Sequence, residues 1–390
     1  MSWNTKIPSR LIDFETKTLP NTNHCIGVKM IASGGGSGTW VHIDEFENIV
    51  SLSDNYFEKH PVYSNITKVQ LEGTQTMVKI PKFYVRTDEG KKFWIIPDPT
   101  SPENTQDENK KLVKNLNDRG FRLHPAFLND NGEEVDYFLV GAYQSNISID
   151  KCCSEPDVYP TAKKSFLDYR ISCLNRNTTG GVGGYHMWNI YEVAAITLLA
   201  MIECASTDFQ HFYGKGRVNA VSLAKTSDAS VISSSYRGIT GLWGNAWQFV
   251  DGISTDIDNR IVMKGFYTDE DGNIKKREFV TDNVIKTKES KDTIWVDGIS
   301  SGYFTSLNTD VGQGYNFNDI FLPDFNTLTE KYENATFSDH VYTRTSGGSK
   351  KVCCVGGDYT SDKKAGLFCY NFDISQTDIF DNIASRLAKY

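Results

Sequence analysis

Residues 241–252 read GLWGNAWQFVDG, and this stretch decides the predicted fold. Gly244 and Asn245 stand side by side, and both residue types tolerate the backbone conformations of a tight turn. Trp243 and Trp247 flank the pair, and their size suits them to anchor the turn in a hydrophobic core. The stretch therefore predicts a fixed structural signature made of these four residues.

The last part of the chain has a different character. Residues 356–387 read GGDYTSDKKAGLFCYNFDISQTDIFDNIASRL. Eight positions of this segment, most of them small residues, form what we call the frame. They are Gly356, Gly357, Ala365, Gly366, Asn382, Ile383, Ser385 and Arg386. The side chains between these positions lack the hydrophobic period of a core strand or helix. A rigid frame that presents mixed polar and aromatic side chains is typical of a binding surface.

Composition limits the possible functions. The chain has 390 residues, 39% of them hydrophobic, so it can bury a large core. Its net charge of −8 and its short basic clusters argue against nucleic-acid binding, which needs a basic face. The longest apolar stretch, residues 193–202, is about half as long as a membrane span. We therefore expect no membrane insertion, and the lack of a signal peptide predicts synthesis in a cytoplasm.

The chain is predicted to have an arm and a body. Residues 1–38 form the N-terminal arm, which ends in the flexible Gly/Ser joint IASGGGSG, and residues 39–390 form the body. One clear long helix is predicted over residues 189–205, with Asn189 as its N-terminal cap.

Short strands account for much of the rest. Strand-like patterns cover residues 75–85, 92–96, 121–127 and 137–143. Pro81 suggests an edge strand or a bulge in the first of them. Residues 97–117 are predicted as a surface loop, and tight turns are predicted at Asn131-Gly132 and Asp271-Gly272. One main long helix, short strands and long irregular loops indicate an α+β fold.

Motifs for metal or catalytic chemistry are missing from the sequence. The eight cysteines include no CxxC pair, so a structural zinc is not expected. Residues 269–273 lack the alternating oxygen ligands of a calcium loop, and Val280 stands where its bidentate glutamate should be. There is no GxSxG elbow and no HExxH motif. We expect no metal, no cofactor and no catalytic residue.

Several motifs resemble one known group of folds. GLWGNAWQFVDG resembles the GNVWEW signature of the formylglycine-generating-enzyme branch of the C-type lectin-like fold, with Ala246 for Val and Gln248-Phe249 for Glu-Trp. The terminal VCCVGGDY, AGLFCYNF and NIASRL resemble that branch's C-terminal GGSW and NxGFRL strands. The chain is also similar to phage tail and tropism-determinant proteins, including the variable proteins of diversity-generating retroelements. YFEKHPVY, MVKIPKFYV, GFRLHPAF, VGAYQS, GYHMWNIYEVAAITLLAMIE and YRGITGLWGN extend this similarity over roughly residues 40–390.

The resemblance implies an α+β body with the C-type lectin-like fold, in a bacteriophage tail-fibre or receptor-binding protein of the virion. Such a protein would be made in the host cytoplasm, form a homotrimer and bind other tail proteins through its N-terminal arm. Its terminal segment, residues 353–390, would bind a host cell-surface receptor, either a glycan or a protein. Two alternatives remain open, a structural virion component that binds another phage protein and an enzyme that degrades envelope polysaccharide.

The resemblance also implies which side chains contact the ligand. In the variable proteins these are the residues between the frame positions. Carried over to this sequence, they are Asp358, Tyr359, Thr360, Ser361, Lys363, Cys369, Tyr370, Asp373, Gln376, Asp378 and Phe380.

The branch also contains an oxidase, which holds copper with two thiols four residues apart near the C-terminal strands. Here Cys369 is alone, and Cys353 and Cys354 are adjacent, fifteen residues upstream. Neighbouring side chains on a strand point to opposite faces, so one metal ion could not readily take both thiols. The sequence therefore predicts no oxidase activity.

Overall fold

The computed structural model describes residues 24–71, 74–177, 183–270, 274–285, 301–343 and 350–390, together with the backbone of Lys17–Thr18. The α-helices in these residues are α1 (Tyr56–Lys59), α2 (Gln106–Asp118), α3 (Phe166–Leu174), α4 (Ile190–Cys204), α5 (Phe209–Phe212) and α6 (Ala229–Ile232). Single 3₁₀ turns lie at Tyr63–Asn65, Pro125–Phe127, Phe317–Asp319, Phe325–Thr327, Tyr332–Asn334 and Asp362–Lys364.

The strands are mostly short. They are β1 (Lys17–Thr18), β2 (Ile26–Ala32), β3 (Thr39–Ile43), β4 (Val50–Ser51), β5 (Thr67–Leu71), β6 (Gln75–Pro81), β7 (Phe83–Asp88), β8 (Lys92–Pro97), β9 (Arg122–Leu123), β10 (Tyr137–Gly141), β11 (Asn146–Ser148), β12 (Lys151–Cys153), β13 (Tyr185–Met187), β14 (Trp247–Thr255), β15 (Arg260–Thr268), β16 (Ile274–Val284), β17 (Ser301–Phe304), β18 (Val311–Gly312), β19 (Tyr315–Asn316), β20 (Leu328–Thr329), β21 (Phe337–Tyr342), β22 (Lys351–Val355), β23 (Tyr370–Ser375), β24 (Ile383–Ser385) and β25 (Leu387–Lys389).

Three sheets organise these strands. The largest runs in the order β16-β15-β14-β22-β23-β21-β17-β20, and β24 pairs with β14 in addition. A second sheet has the order β13-β25-β10-β6-β5, and a third has the order β3-β2-β8-β7-β9. The pairs β1-β4, β11-β12 and β18-β19 stand apart from them. Several sheets combined with separate helices make a mixed α+β structure, so the predicted α+β class is confirmed.

Helix α4 lies in the centre of the molecule. Every side chain from Ile190 to Ile202 is buried, and the helix packs against β2, β8 and β14. Asn189 begins it by accepting hydrogen bonds from the backbone N–H groups of Tyr191 and Glu192, while Glu192 accepts one from the N–H of Asn189. This reciprocal cap starts the helix where the sequence predicts it. Within the described residues, no helix combines the length and the apolar composition needed to cross a bilayer.

Two local predictions are wrong. Residues 97–117 are not all loop, because helix α2 occupies much of them. Like α4, helices α2 and α3 are nine or more residues long. The β6 strand is not at an edge, since it lies between β5 and β10, and Pro81 ends it without a bulge. The strands predicted over residues 92–96 and 137–143 are confirmed as β8 and β10. In residues 121–127, only Arg122–Leu123 is strand.

The Gly/Ser stretch is a hairpin turn and not a joint. Strands β2 and β3 pair antiparallel across it, with Met30 opposite Trp40. The N–H of Gly35 donates to the carbonyl of Glu333, which fixes the turn against the far end of the chain. Residues 26–32 therefore pair in the same sheet as residues 39–43, across the boundary predicted after residue 38.

Some predictions fall outside the described residues. These are the arm function of residues 1–23, apart from the backbone pairing of β1 with β4, and the turn at Asp271-Gly272. The strands on either side of that turn do pair antiparallel, with Thr268 opposite Ile274.

Candidate ligand-binding surface

The signature GLWGNAWQFVDG forms a turn that is built into the core. Gly244 and Asn245 have φ angles of 72° and 61°, both in the left-handed region that favours glycine and asparagine. The Asn245 amide donates to the side-chain oxygen of Gln144 at 2.8 Å and accepts from the N–H of Ala224 at 2.8 Å. Trp243 is fully buried beside the turn. The turn therefore ties three separate parts of the chain together.

Arg386 is a second anchor of the frame. Its guanidinium is fully buried and donates to the side-chain oxygen of Gln248 at 2.9 Å. It also donates to the carbonyls of Gly141, Thr240 and Gly241 at 2.7 to 2.8 Å. Burial lowers the pKa of Arg386 to about 9, so the group stays charged at neutral pH. The arginine thus fixes the end of the chain to β10, to β14 and to the loop that precedes the signature.

The frame glycine at 366 is required by a close approach. A Cβ atom at this position would lie 2.1 Å from the carboxylate of Asp339, which is less than a contact distance. That carboxylate accepts a hydrogen bond from the N–H of Phe368 at 2.8 Å. The Gly366–Phe368 backbone therefore lies directly on a buried acidic side chain of β21.

Asp358 shapes the loop that follows β22. Its carboxylate accepts hydrogen bonds from the N–H and the hydroxyl of Thr360, at 2.9 and 2.8 Å, and from the hydroxyl of Ser361 at 2.9 Å. It also accepts from the amide of Asn382 at 2.5 Å. With four donors around it, Asp358 holds residues 358–361 in one conformation.

This loop lines an open concavity of about 360 Å³, which we call the terminal concavity. Its lining consists of Trp247, Tyr342, Asp358, Thr360, Ser361, Asp362, Lys363, Lys364 and Asn371. Strands β21 and β23 bring the other side of the lining together, since they pair parallel with Tyr342 opposite Asn371. The rings of Trp247 and Tyr342 meet edge to face, with their centroids 5.6 Å apart.

Aromatic side chains continue from the terminal concavity along the sheet. The ring of Tyr342 lies 4.4 Å from that of His340, which lies 5.2 Å from that of Tyr303. Tyr303 in turn contacts Tyr332 at 5.2 Å between ring centroids. The ammonium of Lys363 lies 4.9 Å from the centre of the Tyr332 ring, which gives this long side chain a partner at the rim.

Four of the predicted contact residues therefore come together in the terminal concavity. Thr360 and Lys363 are exposed there, whereas Asp358 and Ser361 are mostly buried in its wall. Sequence reasoning missed Tyr342, Asp362, Lys364 and Asn371. Asp362 and Lys364 adjoin Lys363 in the chain, but no local pattern indicates Tyr342, which is brought in by strand pairing.

The remaining predicted contacts lie elsewhere. Tyr359 is partly exposed, and its carbonyl accepts from the N–H of Ala220 at 2.7 Å. Phe380 is exposed at a different point. The other three, Asp373, Gln376 and Asp378, are partly exposed, and Gln376 lines a separate cleft with Lys350. The structure does not gather these five residues with the other four.

Cys369 and Tyr370 are corrections to the predicted set. Their side chains are 0% and 1% exposed. Tyr370 begins β23, an interior strand between β22 and β21, and pairs with Val355 and Val341. A ligand at the surface cannot reach either side chain, so both leave the set of contact residues.

A second cavity, of about 290 Å³, opens beside α3 and the β15-β16 hairpin. It holds several charged groups, and five of them pair with one another. Lys264 and Arg170 share the carboxylate of Asp251 at 2.6 and 3.3 Å, and Lys276 pairs with Asp130 at 2.8 Å. In the part of the chain that the structure describes, no group of three or more His, Cys, Asp and Glu side chains is placed to hold a metal ion.

Comparisons with known proteins give little additional information. The sequence matches no protein-family model and no curated protein. One solved structure that is similar over most of its length is described as "Major Tropism Determinant U1 Variant". The alignment covers 90% of this chain and 92% of that chain at 8% sequence identity, with a TM-score of 0.29.

Proposed function

We propose that this chain is a phage tail-fibre or receptor-binding protein whose C-type lectin-like body recognises a ligand on the host cell surface. The observation that carries the proposal is the terminal concavity. Asp358, Thr360, Ser361 and Lys363, which the motif resemblance marks as contacts, line one open cavity of about 360 Å³. Open cavities with a few converging polar groups are the usual form of ligand sites.

The residues around the terminal concavity would allow substitutions in its lining without loss of the backbone conformation. The turn at Asn245, the buried Arg386 and the hydrogen bonds from Ser361 and Asn382 to Asp358 hold the backbone without help from Lys363. Thr360 adds two hydrogen bonds to Asp358, of which only the one from its hydroxyl depends on its side chain. Substitutions at the exposed positions would therefore alter what is bound and leave the frame in place. A frame that is already ordered also reduces the entropy lost on binding.

In this proposal the protein is part of the virion and acts by binding, without catalysis. A homotrimer would present three terminal concavities, and linked sites raise overall avidity by about 10²–10⁴ over a single one. The N-terminal arm, predicted over residues 1–38, would attach the body to other tail proteins.

Blocking the terminal concavity tests the proposal. We expect Thr360→Trp to fill part of the cavity and to lower binding of the purified protein to host cells at least about tenfold. Binding of fluorescently labelled protein to a panel of bacterial strains measures this. Thr377→Trp is the matched control, because Thr377 is also an exposed threonine of the terminal segment but does not line the cavity.

Equal binding by Thr360→Trp and the wild type would contradict the proposal. If the assembled virion buried the terminal concavity against a neighbouring chain, the protein would instead be a structural virion component that binds another phage protein.

A further inference from the structure

We infer that the ligand of the terminal concavity is an acidic glycan, a saccharide that carries carboxylate or phosphate groups. This inference rests on the proposed function and adds the chemical class of the receptor. It is argued from the charges, the lining and the shape of the cavity.

The carboxylates of the lining are already engaged. Asp358 accepts hydrogen bonds from Thr360, Ser361 and Asn382. Asp362 lies 3.6 Å from the ammonium of Lys215, outside the cavity. A hydrogen-bonded carboxylate keeps its charge, so the charge of the site is decided by the number of ammonium groups around these two acids.

The lysines of the lining are not neutralised in this way. Among the residues with described positions, no carboxylate forms an ion pair with Lys363 or Lys364. Both ammonium groups belong to one short 3₁₀ turn, and Lys363 is held near the rim by Tyr332. Together with Lys215, these lysines set three ammonium groups against the two carboxylates, and the resulting net positive charge favours an anionic partner.

The composition of the lining indicates a sugar and not a peptide. It contains no aliphatic side chain; beside the charged groups it has the hydroxyls of Thr360 and Ser361, the amide of Asn371 and two aromatic rings. The side chains that dominate peptide and protein binding lie in well-packed, fully desolvated pockets, whereas this cavity is open and its lining is mostly polar. Hydroxyls, an amide and the edges of aromatic rings are instead suited to a ligand that is itself covered with hydroxyl groups.

The test uses the full chain and defined polymers. The probes are polygalacturonate as the carboxylate source, a teichoic acid as the phosphate source and dextran as the neutral polymer. We expect saturable binding of at least one acidic polymer and weak or absent binding of dextran. Affinity for the acidic polymer should fall markedly between about 50 and about 300 mM salt, because the Debye length shortens from more than about 10 Å to less than about 8 Å over this range. Lys363→Gln/Lys364→Gln should reduce affinity for the acidic polymer at least about tenfold.

The control removes the same charge elsewhere. Lys110 and Lys111 are an adjacent, exposed pair on α2, so Lys110→Gln/Lys111→Gln changes the net charge equally and should leave binding unchanged. Melting curves of both double variants verify that they fold.

Three results would overturn the inference. The first is unchanged affinity of Lys363→Gln/Lys364→Gln for the acidic polymers, and the second is equal or tighter binding of dextran. The third is binding to an acidic protein and to none of the acidic polymers. If Thr360→Trp abolishes binding to cells but the double lysine variant does not, receptor binding stands and the acidic ligand fails. If neither variant affects binding to cells, the proposed function fails as well.

Discussion

At the scale of single residues, Arg386 shows how a polar group can stabilise a core. Its guanidinium satisfies the side-chain oxygen of Gln248 and three backbone carbonyls, including that of Gly141. Removing it leaves these acceptors buried without donors. We expect Arg386→Met to lower the free energy of unfolding by about 3–5 kcal/mol, measured by urea denaturation. Arg260→Met, at the exposed first position of β15, should cost much less, and equal stability of the two variants would contradict this role.

Asp339 is a second residue whose buried charge has a measurable consequence. Burial raises the pKa of this carboxyl well above its ordinary value. The hydroxyl of Ser338 donates to the carbonyl of Thr207 at 2.6 Å and lies 3.1 Å from Asp339, to which it can also donate. The folded protein thus holds a proton that the unfolded chain releases above pH 4, and stability falls as the pH rises.

Replacing this carboxyl by an amide should remove the pH dependence. Asp339→Asn keeps the shape, can accept from the N–H of Phe368 and can donate to Ser338. From pH 4 upward we expect the free energy of unfolding of the wild type to fall relative to that of Asp339→Asn. The difference between the two proteins should grow by up to about 1.4 kcal/mol per pH unit. Urea titrations at pH 4, 5, 6 and 7 measure this. Parallel curves for the two proteins would mean that Asp339 is ionised in the fold.

At the scale of elements, prediction succeeded where the pattern was strong and local. Helix α4 has a long apolar run and a capping residue, and both act within a few positions of the chain. Helix α2 was missed because its surface is polar nearly all round and only Leu116 is buried. Its signal was the capping box of Thr105 and Glu108, which lies inside a segment whose composition is typical of a loop.

Pairing between distant segments could not be predicted from the sequence. A run of glycine and serine favours a flexible joint and a hairpin turn equally, and only the pairing of β2 with β3 decides between them. The same holds for the candidate site. Tyr342 reaches the terminal concavity because β21 pairs with β23, and Tyr370 is buried because β23 is an interior strand. Such contacts join residues that are far apart in the chain, so local patterns carry no information on them.

At the scale of the whole molecule, the third sheet and α4 form a unit that includes part of the expected arm. Strand β2 lies between β3 and β8 and packs on α4. Ile26 and Val28 are fully buried. Gly27 lies so close to Trp94 that a Cβ would approach its ring to 2.4 Å. Residues 24–38 are therefore expected to be needed for the stability of the body.

Two truncated chains test where the body begins. Residues 24–390 retain β2, whereas residues 39–390 lose it and leave β3 and β8 without their common neighbour. Because burial of Ile26 and Val28 contributes about 1.5–3 kcal/mol each, we expect the shorter chain to be less stable by more than about 3 kcal/mol. Urea denaturation and size-exclusion chromatography measure the loss of stability and any aggregation through the exposed strand edges. If both chains unfold at the same urea concentration with equal cooperativity, the body begins at residue 39 and the hairpin adds nothing to it.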